Sequence, residues 1–176
     1  MSEPDFESML SGGHPNSLGR TLEVVELVLA DADRLQALLD CYASPDEVVR
    51  LRTSNALKRI ARQHPQWLLP WLEQLLERVS KIDQASVQWT LATVFLLLES
   101  GMNAAQKNRA SAIMQANLEN NHDWIVLNTT METLAKWALN DPQLKIWLLP
   151  RLQRLVNDNR GSVSRKAVKM TALLNE

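Results

Sequence analysis

Cysteine, glycine, histidine and tyrosine are all scarce in this chain of 176 residues. The one cysteine, Cys41, excludes an intrachain disulfide and a zinc centre built mainly on thiolates. The histidines His14, His64 and His122 stand far apart in the sequence, a spacing that offers no metal ligand pair and fits turn positions better. The signatures H-E-x-x-H, G-x-G-x-x-G, G-x-x-x-x-G-K-[ST] and G-x-S-x-G are absent. No catalytic residue, metal or cofactor is therefore expected. Long apolar runs are missing too. The longest, Val94 to Leu98, falls far below the roughly 20 residues of a membrane-spanning helix. The start, Met1-Ser2-Glu3-Pro4-Asp5, lacks the basic and apolar regions of a secretory leader. The expectation is a soluble, cytoplasmic chain with no membrane partner.

What remains is rich in Leu and Ala and poor in the β-branched and aromatic mixture that sheets favour. Only five Gly occur; Gly12, Gly13, Gly101 and Gly161 stand in stretches that read as loops. No strict polar/apolar alternation persists, so the fold class reads as all-α. A chain of this length buries about 70% of its unfolded surface and fits one domain.

Repetition supplies the architecture. The series Val49, Arg50, Thr53, Ala56, Leu57 and Ile60 recurs as Val87, Gln88, Leu91, Val94, Phe95 and Leu98. It recurs again as Val126, Leu127, Thr130, Thr133, Leu134 and Trp137, and once more as Val163, Ser164, Ala167, Met170, Thr171 and Leu174. The four copies follow one another at a period of roughly 38. The internal spacing keeps these positions on one helical face. A second signature, Trp67-Leu68-Leu69-Pro70-Trp71-Leu72, returns about two periods later as Trp147-Leu148-Leu149-Pro150-Arg151-Leu152. Pro70 and Pro150 each either bend a helix or mark its true start.

Paired helices follow at about 18–30 with 32–43, 46–63 with 66–80, 84–99 with 103–118, and 122–139 with 142–157, and a closing helix lies near 162–174. Residues 1–16, with Gly12-Gly13 and Pro15, read as a flexible N-terminal arm, and 17–176 as a single repeat domain. Helix pairs of this size cannot bury their apolar faces alone and must stack.

The motif V-R-x-x-T-x-x-A-L-x-x-I behind Asp46, the Pro-started second helices and the period near 38 resemble HEAT repeats, an armadillo-like family, over residues 18–174. The resemblance implies a right-handed α-α superhelix of about four helix pairs plus a terminal helix. In the first pair Leu18, Leu22, Val25 and Leu29 keep the apolar spacing. In such families the motif Arg pairs with an acidic turn residue of a neighbouring unit; here only Arg50 is present, against Gln88, Leu127 and Ser164.

Candidate contacts follow from the second helix of each pair, the B helix, which lines the concave face in HEAT-like solenoids. With Leu68 or Leu69, Leu72, Leu75 or Leu76, and Val79 on the core side, Trp67, Trp71, Gln74 and Arg78 form a separate stripe. Trp147, Arg151, Arg154 and Asp158 match it, and Arg109 takes the place of Trp71 on the intervening B helix. Trp and Arg are favoured at binding hot spots. Trp67, Trp71, Arg78, Arg109, Trp147, Arg151 and Arg154 are thus the partner-binding candidates, with Trp filling gaps between helices as the alternative. Trp89, Trp124 and Trp137 read as core, Cys41 as buried and inert, and Asp31 as the cap of a turn.

Charge is uneven: residues 1–48 carry −8 and residues 49–176 carry +7. Such asymmetry fits a solvated face, an anion-binding end or attraction between copies. The leading expectation is a non-enzymatic scaffold or adaptor that binds a protein partner on its B-helix face. The alternative is nucleic-acid binding: Asn121-His122-Asp123-Trp124-Ile125-Val126 is similar to helix starts of HEAT-like alkylpurine DNA glycosylases, with Leu127 where they carry Arg.

Overall fold

A computed structural model describes residues 5–176. Among them every regular element is helical. The α-helices are α1 Phe6–Leu10, α2 Thr21–Ala30, α3 Leu35–Asp40, α4 Glu47–Gln63, α5 Leu72–Glu77, α6 Ala85–Leu98, α7 Ala104–Asn120, α8 Trp124–Ala138, α9 Pro142–Val156 and α10 Gly161–Asn175. Tighter 3-10 segments flank α3 and α5 and follow α6. No helix is long and apolar enough to cross a membrane among the described residues.

Local chemistry starts these helices where the repeat places them. Asp46 accepts from the Val48 N–H at 2.8 Å, Asp123 from Ile125 and Val126 at 2.8 and 3.1 Å, and Asp141 from Leu144 at 3.0 Å. Each carboxylate satisfies donors that the first turn leaves open and faces the positive end of the helix dipole. Asn103 and Gln106 close a reciprocal capping box on α7. Gly101 ends a 3-10 turn without a left-handed backbone, which is confined to Gly12, Gly13 and Gly19 among the described residues. Gly161 is the first residue of α10 rather than part of a loop.

The repeated face is the buried face. Val49, Thr53, Ala56, Leu57 and Ile60 on α4 are buried, as are Val87, Leu91, Val94, Phe95 and Leu98 on α6. So are Val126, Thr130, Thr133, Leu134 and Trp137 on α8, and Val163, Ala167, Met170 and Leu174 on α10. At about 25 cal/mol per Å² of apolar surface removed from water, burial of this recurring set contributes to the driving force alongside the buried leucines of the other helices. The first pair departs from the expected register. Thr21, Val24, Val25 and Val28 form the buried side of α2, while Leu18 and Leu22 are exposed and Leu29 is half-buried. An i, i+3, i+4, i+7 set of small β-branched side chains packs on α4, and the larger Leu residues are rotated outward.

The two proline motifs resolve differently. Pro65–Trp71 is a 3-10 stretch, so Pro70 precedes α5, which begins at Leu72. Pro150 lies inside α9, where its missing N–H leaves the Ile146 carbonyl without its usual partner, at a turn where Ile146 is 65% exposed and water is at hand. On the core side Leu68, Leu72, Leu75, Leu76 and Val79 are buried, as are Leu144, Leu148, Leu152 and Leu155.

In three of the four copies, all but that with Leu127, the second position of the repeat has one polar task. Arg50 donates from Nη1 to the Ser44 carbonyl at 2.6 Å, and Gln88 from Nε2 to the Ile82 and Ser80 carbonyls at 2.8 and 3.0 Å. Ser164 donates to the Val156 carbonyl at 2.6 Å. Each pins carbonyls six or eight positions earlier, in the turn that leads into its helix. Arg50 also donates to Gln84 Oε1 at 2.7 Å, so its second acceptor is a neutral amide and not an acid.

The chain forms two compact units, Met1–Thr90 and Leu91–Glu176. In the first, the segment read as an arm, 1–16, holds the short helix α1, and residues 1–4 of it lie outside the described residues. Phe6, Met9 and Leu10 are buried, and the following loop closes over Arg52 of α4. Arg52 is 2% exposed and has no carboxylate partner among its hydrogen bonds. It donates to the carbonyls of Leu10 and Gly12 at 2.7 Å, Ser17 at 3.0 Å and His14 at 3.1 Å. Gly19, with φ +52°, brings its backbone so close that a Cβ there would stand 3.0 Å from the guanidinium. A planar five-donor cation suits a ring of carbonyls as no other side chain does.

In the second unit, Lys166 of α10 reaches Glu132 of α8 at 2.7 Å, and Lys136 reaches it at 2.8 Å. The hydrogen bond from Lys136, then that from Lys166, hold the Glu132 carboxyl down at about 2.

Replacing Arg52 by Ala removes charged donors from several buried carbonyls and should cost about 2–4 kcal/mol in urea unfolding, with Lys restoring only part. Because Glu132 titrates lower folded than unfolded, its contribution is complete above the ordinary carboxylate range and is lost as pH falls toward 2. The stability gap between wild type and Glu132→Gln should therefore be present at pH 7, narrow below about pH 5 and close near pH 2 in denaturant titrations.

Candidate interaction surface

The candidate contact residues divide between the two units. Trp67 and Trp71 are half-buried and Arg78 is exposed in the first; Arg109, Trp147 and Arg151 are half-buried and Arg154 is exposed in the second.

In the first unit the 3-10 geometry of Pro65–Trp71 sets the indoles. Trp67 stacks on the His64 ring with centroids 4.1 Å apart and an interplanar angle of 11°. His64 ends α4, its N–H bonded to the Ile60 carbonyl, so this histidine serves packing and termination. Arg78 closes α5 and borders a small cleft of about 190 Å³ with Leu39, Tyr42 and Val79.

The second unit brings four side chains together. The Arg151 guanidinium lies over the Trp147 ring, 3.9 Å from its centroid, and donates from Nη1 to the Trp147 carbonyl at 2.8 Å. Spacing i, i+4 on α9 makes this stack possible, because both side chains lean over the same turn. Glu119, in the last turn of α7, accepts from Arg151 Nε and lies 3.4 Å from Arg154 Nη2. An acid at a helix C-terminus is unfavourable by itself, and the two guanidiniums offset that. The Arg151 hydrogen bond, followed by that of Arg154, holds the Glu119 carboxyl below the usual range. Two cations share one carboxylate, so the patch keeps an excess of positive charge beside a partly open indole face. Asp158, placed on this stripe by spacing, instead pairs with Arg160 at 2.7 Å in the turn before α10, and that pairing holds its carboxyl down at about 2.

Other residues fall into place. Trp137 is 1% exposed with Lys107 Nζ 5.1 Å above its ring, and Trp89 is half-buried. Trp124 corrects the core expectation: it is 49% exposed, because as the first residue of α8 it projects from the helix edge. Cys41 is buried, and burial pushes its thiol up to about 11, leaving it protonated and unreactive at neutral pH. Asp31 caps its turn by accepting from the Asp33 N–H. No group of His, Cys, Asp or Glu suited to a metal occurs among the described residues.

Sequence spacing missed Glu119, which reaches Arg151 from a distant helix with no periodic cue. Arg52 did carry a signal: it stands three residues after Val49 and four before Ala56, a charge at a core spacing. No family model matches this chain, and no curated protein matches it either.

Burial separates the two kinds of tryptophan in an experiment. Trp137→Ala should cost about 3–5 kcal/mol in chemical denaturation, whereas Trp147→Ala should cost less than about 2.

Proposed function

We propose that the chain is a non-enzymatic interaction module, a HEAT-like α-α superhelix that binds a protein partner through Trp and Arg side chains of its B helices. The observation that carries the reading is the Trp147–Arg151 stack with Arg154 beside it. An indole that packs a guanidinium holds it flat and partly desolvated, the state in which it binds a carboxylate or an aromatic side chain most strongly. Rigid helices present this patch, so little ordering entropy is lost on association. Glu119 already fills the carboxylate role between the two arginines, and a partner's acidic side chain would compete for the same donors. Trp67, Trp71 and Arg78 supply a second patch, and Arg109 a further cation. The superhelical reading is supported by four buried faces at a near-constant spacing and by the turn-pinning side chains at the second repeat position.

A second reading, nucleic-acid binding, is favoured by Trp124, which is exposed at the start of α8 where the resemblance to alkylpurine DNA glycosylases falls. Arg160, which donates to the His122 carbonyl at 2.5 Å, sets a cation beside that turn.

Affinity capture from the source cell's lysate, with and without nuclease, distinguishes the two. A protein partner retained after nuclease and lost with Trp147→Ala/Arg151→Ala, at unchanged helicity and melting, is the expected result. Recovery that disappears with nuclease, or survives the double substitution, would sink the protein-binding reading.

A further inference from the structure

The outward rotation of Leu22 and Leu29 has created a second surface, on the other type of helix and in the first unit. Between α2 and α4 runs an open groove of about 460 Å³, floored by Leu22, Val25 and Leu29 and bordered by Glu26, Arg59 and Arg62. Leu22 is 48% exposed. It is one of only six large apolar side chains so exposed among the described residues, and the spacing of Leu22, Val25 and Leu29 makes a continuous apolar stripe.

Charge along the α4 edge is unbalanced. Lys58, Arg59 and Arg62 crowd together, and the one side-chain bond that Arg59 makes is to the neutral Asn55, at 2.7 Å. Burial, then Arg62 and Arg59, push the Lys58 ammonium below its usual value, so these cations repel one another without a carboxylate to separate them. Seven other cations, Arg20, Arg34, Lys107, Lys136, Arg151, Arg160 and Lys166, are held in ion pairs, which Lys58, Arg59 and Arg62 are not.

We infer that the α2–α4 groove is a docking site for an acidic, amphipathic helical segment of a protein partner, with apolar side chains on Leu22, Val25 and Leu29 and carboxylates on Arg59 and Arg62. A groove of about 460 Å³ has room for a few side chains. The apolar floor and the Glu26 carboxylate on the opposite wall disfavour a phosphate backbone, which seeks cations without an intervening acid. Helix-in-groove recognition by i, i+3, i+7 anchors matches the floor. This site uses none of the Trp and Arg residues of the B helices and stands or falls separately from them.

The test is fluorescence anisotropy with the full chain and a labelled amphipathic helical peptide that carries one Leu stripe flanked by Glu. Saturable binding that weakens with added salt is expected, about tenfold or more weaker in Arg59→Glu/Arg62→Glu and also weakened in Leu22→Ser. Arg62→Gln, a milder surface change, provides the same comparison should the double reversal unfold. Trp147→Ala/Arg151→Ala should leave this binding unchanged. The proposal is overturned by absence of saturable binding, by equal binding of a peptide with Lys in place of Glu, or by indifference to the groove substitutions. Tighter binding of single-stranded RNA or of anionic phospholipid vesicles, lost with the same substitutions, would overturn it in favour of those partners.

Discussion

Everything else in this protein is arranged around covering one helical face that the chain repeats four times. A single amphipathic helix cannot keep that face from water, and a pair of helices still leaves one side open. Leu57, Phe95, Leu134 and Met170 are buried because neighbouring helices close over them. α8, α9 and α10 pack mutually in the second unit, and α1, α2 and α4 do so in the first. The stability of each helix is thus mostly tertiary. Short elements such as α3 and α5, only six residues each, would not persist alone.

Stacking helices creates a polar problem at each turn, since the carbonyls leading into a helix are drawn toward the packed side. The chain answers it with side chains from inside the next helix. Arg50, Gln88 and Ser164 differ in size and charge, yet each donates to the turn before its own helix. Arg52 extends the same device over a longer distance and ties the loop after α1 to the middle of α4. Burying an arginine without a carboxylate is costly unless its donors are used, and here four carbonyls at 2.7–3.1 Å use them. That cage ties the loop after α1 to α4 although Gly12, Gly13 and Pro15 read as a loose connection.

The surface shows two ways of holding cations. On α9 and α7 the arginines share Glu119 and lie against an indole, so their charge is oriented and partly neutralised. On α4 the cluster Lys58, Arg59 and Arg62 has no ion pair among the described residues and borders a groove with the exposed Leu22 and the half-buried Leu29, opposite Glu26. Oriented charge beside aromatic area favours a specific contact, and unneutralised charge beside apolar area favours an acidic amphipathic one. Both belong to a molecule whose described residues offer no metal-binding group and a single, buried, protonated thiol.

The longer helices and the four buried faces were legible in the sequence, because the helical period and the longer repeat are properties of local sequence; α1 and the 3-10 stretches beside α3 and α5 carried no such period. The tertiary structure decided what depends on a neighbour's position. It rotated α2 so that Val24 and Val28 are buried while Leu22 is exposed, because small β-branched side chains fit against α4. It turned the first of two matching proline motifs into a 3-10 stretch and left the second inside α9. It placed Glu119 of α7 against Arg151 of α9, and gave Arg52 its ring of carbonyls from a loop far upstream in the chain. Periodicity states which side chains share a face of one helix; only packing states what that face meets.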